Sequence, residues 1–326
     1  APLMASLALH ASLFLRVSLV VSIFCSAFAA RRFAELVNVT APAMVYHNGP
    51  LLHGQITVTP LFYGSFMATQ RAIVTDFISS LSPSPSQHHR DSENNTVARW
   101  WKITEAYYSM AYTKYLPAPS ILLGAPIVEA SYYLGKALKD EHIQELASRG
   151  PQRRNGITVV VTSKDVAVEG FCMRRCGTHS HLRHAPSGVK PFRMAYIWVG
   201  DSVMQCPGQC AWPFHQPIYG PQTPPLAAPN NEVGMDGMVI NLAGLMVSTV
   251  TNPFAKGFYQ GEVGGVTEAY AACQGVFGTG AYPGYAGKVL SDGVSGGSYN
   301  AVGLGGRKYL VPGILDPRTA TCFTLV

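Results

Sequence analysis

Four cysteines, Cys172, Cys176, Cys206 and Cys210, constrain this chain more than any other feature. They fall into two Cys-x3-Cys pairs, the first followed by His179 and the second by His215. Thiolates and imidazoles at that spacing fit the loose rule for a zinc site. The other reading is disulfides, and the compartment decides between the two.

The first residues speak to compartment. Met4 opens a segment in which Arg16 precedes the apolar run Val17 to Cys25, and Ala27-Phe28-Ala29 places small residues where a signal peptidase cuts. We read 1–29 as a secretory signal peptide and not a buried helix, because Ala30-Arg31-Arg32 follows at once. Cleavage would remove Cys25, leaving six of the seven cysteines, and Arg16, taking the formal charge from +6 to +5. An even set in an oxidising compartment predicts disulfides among Cys172, Cys176, Cys206, Cys210, Cys273 and Cys322, and six cysteines allow 15 pairings between which sequence does not choose. A Cys273–Cys322 bridge would close a loop of about fifty residues and restrain the unfolded chain by roughly 3 to 4 kcal/mol. Two sequons, at Asn38 and Asn94, are candidate N-glycosylation sites in the same compartment.

With 48% hydrophobic and 13% charged residues over 326 positions, the chain has ample material for a core. Basic residues outnumber acidic ones by 24 to 18 without any run of five like charges, which excludes a nucleic-acid stripe. The mildly basic surface is compatible with anionic polysaccharide or membrane headgroups and requires neither.

Periodicity predicts a strand at 55–64, an amphipathic helix at 69–81 and a second helix at 97–108 whose Trp100, Trp101, Tyr107 and Tyr108 pack inward. A short helix follows at 140–148, N-capped by Asp140, and the β-branched runs 156–163 and 194–199 read as buried strands. The segment 235–251 is apolar nearly all round with Asp236 in its first turn, too short an apolar run for a membrane span and therefore a central buried helix. Adjacent His88 and His89 lie in a Pro/Ser loop and read as solvated. Beyond Pro253 the texture turns to Gly, Tyr and Pro. The expectation is an α/β fold: one domain over 30–326, three layers with a mixed sheet, disulfide-stapled, ending in an irregular C-terminal arm over about 253–326. Ser295-Gly296-Gly297-Ser298 does not form a nucleophile elbow, and Gly303 to Lys308 lacks the phosphate-loop spacing. No catalytic, cofactor-binding or metal residue is assigned.

Three long runs carry a resemblance: Val168 to His179, Gln205 to Pro221, and Ala228-Pro229-Asn230-Asn231 with Asp236 to Leu242. They are similar to the EXORDIUM family, the phosphate-induced plant proteins, and the likeness runs from Tyr46 to Val326, with the 82–92 and 180–190 segments longer than in typical members. The resemblance implies a secreted apoplast protein of the cell wall, tied to cell expansion and to growth responses to brassinosteroid and carbon status. It implies no established enzymatic activity, and as partner an unidentified wall component or receptor. Distant relatives outside land plants carry a His-Glu-x-x-Glu run and a Thr-Asp-Pro where this chain has Gly244 to Ser248 and Thr251-Asn252-Pro253. That likeness implies a fold akin to zinc peptidases in which the metal-binding His, the general-base Glu and an Asp are here Gly244, Leu245 and Asn252. None of these can hold zinc in the expected way or activate its water. The expectation is a non-catalytic extracellular protein. The alternative is a hydrolase of wall peptide or glycan, possible through a metal, His179 or His215, and exposed aromatics such as Trp212.

Overall fold

A computed structural model describes residues 43–82, 95–111, 116–173, 175–188, 190–217, 220, 223–261 and 266–326. The chain divides into two compact units, Ala1–Ala41 and Pro42–Val326, and every described residue lies in the second. The expected signal peptide, Asn38, Asn94 and the His88–His89 pair fall outside the described residues.

The elements run β1 (Val45–Tyr46), β2 (Gln55–Tyr63), α1 (Ala68–Ser80), α2 (Val97–Trp101), α3 (Ile103–Met110), β3 (Ser120–Leu123), β4 (Ile127–Glu129), β5 (Ala137–Leu138) and α4 (Asp140–Ser148). They continue with β6 (Gly156–Thr162), β7 (Ala167–Val168), β8 (Gly177–His184), β9 (Phe192–Gly200), α5 (Pro207–Cys210) and α6 (Val233–Thr251). The main sheet has the order β3-β2-β6-β9-β8, and β4 also pairs with β2. All its pairings are parallel except β8 with β9.

Residues paired across β2, β6 and β9 explain how the sheet is buried. Leu61, Val160 and Trp198 lie in register and share one face, where they join Ile143, Leu146 and Ala147 of α4 in one apolar cluster. Their neighbours Phe62, Val161 and Val199 point the other way, as the two-residue period of a strand requires, and are fully buried too. On that side a Cβ added at Gly177 of β8 would lie 2.7 Å from Leu245 of α6 and 2.9 Å from Val199. Covered faces are why β6 reads as a continuous β-branched run.

The helix expected at 97–108 is two, because the chain bends at Lys102. Its four aromatics are buried as expected, with the Trp100 indole donating to the Pro312 carbonyl at 2.8 Å. Asp140 is the first residue of α4 and not its cap; the capping position is Lys139, whose amide donates to Nδ1 of His142. Helix α6 is long and apolar enough to cross a bilayer, yet 89% of its apolar window is buried in the protein, so it is a core helix.

The tail is less of an arm than its composition suggests. Its short strands, β10 (Phe258–Tyr259), β11 (Leu290–Ser291), β12 (Ser298–Tyr299), β13 (Ala301–Val302), β14 (Lys308–Tyr309), β15 (Ile314–Asp316) and β16 (Thr321–Phe323), form two-stranded pairs, β10 returning to β1. Tyr309, Leu310, Val311, Ile314 and Leu315 are buried. Irregular buried backbone needs hydrogen-bond partners, and side chains supply them. Asn300 donates to the Phe277 and Val311 carbonyls and accepts from the Val311 amide, each at 2.8 Å, while Tyr309 donates to the Ile73 carbonyl of α1.

Candidate functional site

The six cysteines form three disulfides: Cys172–Cys206, Cys176–Cys210 and Cys273–Cys322. The first two run side by side and tie the turn before β8 to α5, which a run of four residues needs because so short a helix is marginal alone. Cys206 and Cys210 sit in the apolar cluster with Phe171 and Trp198. Bridged sulfur is neither a nucleophile nor a zinc ligand, so the Cys-x3-Cys pairs with His179 and His215 are not metal sites. His215 instead directs Nδ1 to the Gln216 carbonyl at 2.9 Å.

His179 has a different setting. It stands on β8 opposite Ile197, and its Nε2 lies 2.8 Å from Oε2 of Glu268. The other carboxylate oxygen, Oε1, accepts from Nδ2 of Asn252 at 2.6 Å, and Oδ1 of Asn252 accepts from the Gly257 amide at 2.7 Å. Asn252 is the C-terminal capping residue of α6, so a strand, a helix end and the tail meet here. The cleft above them, about 410 Å³, is lined by His179, Ser180, His181, Asn252 and Glu268, with Val266 among its apolar lining. Burial acts to raise Glu268, but hydrogen bonds from His179, Asn252 and Ser248 outweigh it and hold the carboxyl below its usual range. His181, two residues along the same face, is lowered by desolvation and by the Arg193 and His179 charges.

Chemically the carboxylate of this cluster is engaged and the imidazole is enclosed. Both oxygens of Glu268 are engaged, and Nδ1 of His179 is buried without a partner, so neither ring nitrogen is presented to a substrate. Gly244, Leu245 and Asn252, the positions where the resemblance implied a peptidase site, are all taken up by packing or hydrogen bonds. A Cβ at Gly244 would lie 2.3 to 2.5 Å from the Tyr270 ring, Leu245 packs against β8, and Asn252 bonds to Glu268. The Tyr270 hydroxyl is pushed up to about 12 by desolvation. Among the described residues, no group of three or more His, Cys, Asp or Glu is placed to hold a metal ion. Glu268 and Tyr270 were not foreseen from sequence, since they sit in the Gly/Tyr-rich tail and meet β8 and α6 only through the fold.

Asp236, in the first turn of α6, is 3% exposed. Its carboxylate accepts from the Asn230 amide at 2.9 Å and from Asn230 Nδ2 at 2.6 Å, while Asn230 Oδ1 accepts from Arg307 at 3.1 Å. These residues clasp α6 to the tail. Desolvation nevertheless raises the Asp236 carboxyl from 3.8 to about 6. The folded state therefore holds a proton that the unfolded chain has released, so stability is lost as pH rises from about 4 through about 6. We expect Asp236→Asn, compared with the native chain, to gain about 2 kcal/mol between pH 4 and pH 7 in urea unfolding. A constant difference across that range would contradict the assignment.

Trp212 is not the exposed aromatic that the sequence suggests. It is half-buried, 5.7 Å from Phe277 between ring centres, and lines a cleft of about 300 Å³ with Pro213, His215, Pro225 and Tyr285. Of the 180–190 segment, residues 180–184 belong to strand β8.

A family model, the Phosphate-induced protein 1 conserved region, matches residues 44–325. The protein PHOSPHATE-INDUCED 1 of Nicotiana tabacum is 52% identical over 315 residues, covering 96% of this chain and 98% of the relative. The protein EXORDIUM of Arabidopsis thaliana is 53% identical over 302 residues, covering 91% and 94%, and EXORDIUM-like 3 of the same plant is 33% identical over 293 residues, covering 87% and 82%. No solved structure matches, and the suggested kinship with zinc peptidases gains no support.

Proposed function

Since the chain belongs to the phosphate-induced protein 1 family, which includes the EXORDIUM proteins, we propose that it is a secreted, non-catalytic protein of the plant cell wall that promotes cell expansion through binding. In this reading 1–29 is the cleaved signal, 30–326 is a single three-layer domain, and Asn38 and Asn94 carry glycans. Three disulfides suit the extracellular compartment.

The observation that supports the non-catalytic part is the enclosed His179–Glu268–Asn252 cluster beside a glycine closed over by Tyr270. A hydrolytic site needs a base open to water or substrate, and here each Glu268 oxygen already accepts a hydrogen bond while His179 Nδ1 is buried. The second reading, a wall hydrolase, draws on the same cluster, because a His–carboxylate pair at the foot of a cleft is what general-base chemistry uses.

Product release separates the two. Purified protein incubated with wall peptide and wall glycan should release nothing, and Glu268→Gln should leave that result unchanged while lowering the unfolding midpoint. Release that Glu268→Gln abolishes would establish the hydrolase.

A further inference from the structure

The hairpin of β8 and β9 gathers positive charge that lies scattered in the sequence. Arg183 and Arg193 are register partners across it, so two guanidinium side chains stand opposite each other on one face. The next pair, His184 and Phe192, points to the other face, where Arg154 lies over the Phe192 ring at 4.8 Å and donates to the Lys190 carbonyl at 3.2 Å. Arg154, Arg183, Lys190 and Arg193 are all exposed, and none of the four is in an ion pair. Glu268, which meets the Arg183 face of β8 at His179, is already held by His179 and Asn252.

This arrangement is unfavourable by itself. Like charges facing each other across a strand pair repel, and here no carboxylate of the chain offsets them. Arg193 is also held in place, its guanidinium 5.5 Å above the Phe254 ring, which the His181 ring meets edge-on at 5.3 Å. Positioned guanidiniums without an internal acid are planar forks suited to carboxylates on a partner. Shape limits that partner further. The cations lie on both faces of one narrow hairpin, which a polymer chain can follow and a flat bilayer cannot. The Phe192 and Phe254 rings lie beneath guanidiniums, so neither is free to anchor in lipid.

We propose that this hairpin binds a polysaccharide carrying carboxylates along its chain, with Arg183 and Arg193 taking one carboxylate and Arg154 and Lys190 another. The proposal rests on the extracellular reading only for where such a polymer is met. Calorimetry on the purified chain with a galacturonic acid oligomer is therefore independent of secretion: failure to bind leaves the secretion reading standing, and failure to be secreted leaves the binding result standing. We expect saturable binding that weakens with added salt and falls at least about tenfold in Arg183→Glu. The unfolding midpoint of that variant should hold or rise, because a glutamate opposite Arg193 replaces repulsion with attraction. Lys164→Glu combined with Lys288→Glu, one beyond the opposite end of β6 and one in the tail, should bind as the native chain does. An equal loss in that control would reduce the effect to net charge. That result, native affinity in Arg183→Glu, equal binding of a neutral glucose oligomer, or tighter binding to vesicles of anionic phospholipid would overturn the proposal.

Discussion

Replacing Cys172 and Cys176 together by serine is expected to lower stability by about 6 kcal/mol, enough to unfold a domain of ordinary stability at room temperature. Each bridge spans 34 residues, but the two do not contribute equally. The first to form restrains the unfolded chain over its whole loop, worth about 4 kcal/mol by loop-closure entropy. Once it is in place, the second closes a ring of about ten residues and adds roughly 2 to 3 kcal/mol. Either bridge should therefore cost only that smaller amount when removed alone as a cysteine pair, and the double loss should exceed the sum of the single losses. Cys273–Cys322, over 49 residues and without a parallel partner, should cost about 4 kcal/mol. Denaturant unfolding of the three paired-serine variants and the four-serine variant checks this. Simple additivity of the first two would contradict it.

Enlarging Gly244 is expected to be nearly as damaging. Glycine inside a helix is about 1 kcal/mol worse than alanine, so propensity alone would make Gly244→Ala stabilising. Tyr270 reverses the sign, because its ring occupies the space a side chain would need. The backbone of α6, or the ring and the Glu268 segment behind it, must move, and such overpacking costs ~1–3 kcal/mol for alanine and more for leucine, for which we expect ~4 kcal/mol. The double-mutant cycle is the sharper measurement. In a Tyr270→Ala background the space is open, and Gly244→Ala should become stabilising by up to about 1 kcal/mol. A glycine-to-alanine effect of the same sign in both backgrounds would show that the ring is not what closes the site.

Much of the fold was legible where one physical signal dominates. β6 and β9 read as buried strands because every position of β6 is buried, and α6 reads as a core helix because its apolar residues go all round. β8 was missed for the opposite reason: Gly177 to His184 is polar, because it is the edge strand paired only with β9, and polar alternation looks like loop. Cysteine parity predicted bridges but not partners, since the pairing follows from the placing of α5 beside the turn before β8. The tail read as an arm because its burial relies on long-range side-chain bonds such as Trp100 to Pro312, which leave no periodicity behind. The His179–Glu268 contact spans 89 residues of sequence and joins a polar strand to a glycine-rich segment, so neither end announced the other.

That contact bears the central proposal, a His179–Glu268–Asn252 network that holds the fold and binds no metal. Elemental analysis of the chain purified without chelator tests it most directly. With no group of three or more His, Cys, Asp or Glu placed to hold a metal ion among the described residues, and each oxygen of Glu268 already accepting a hydrogen bond, the account predicts zinc only at trace level. A stoichiometric amount of zinc, lost on Glu268→Gln, would contradict it.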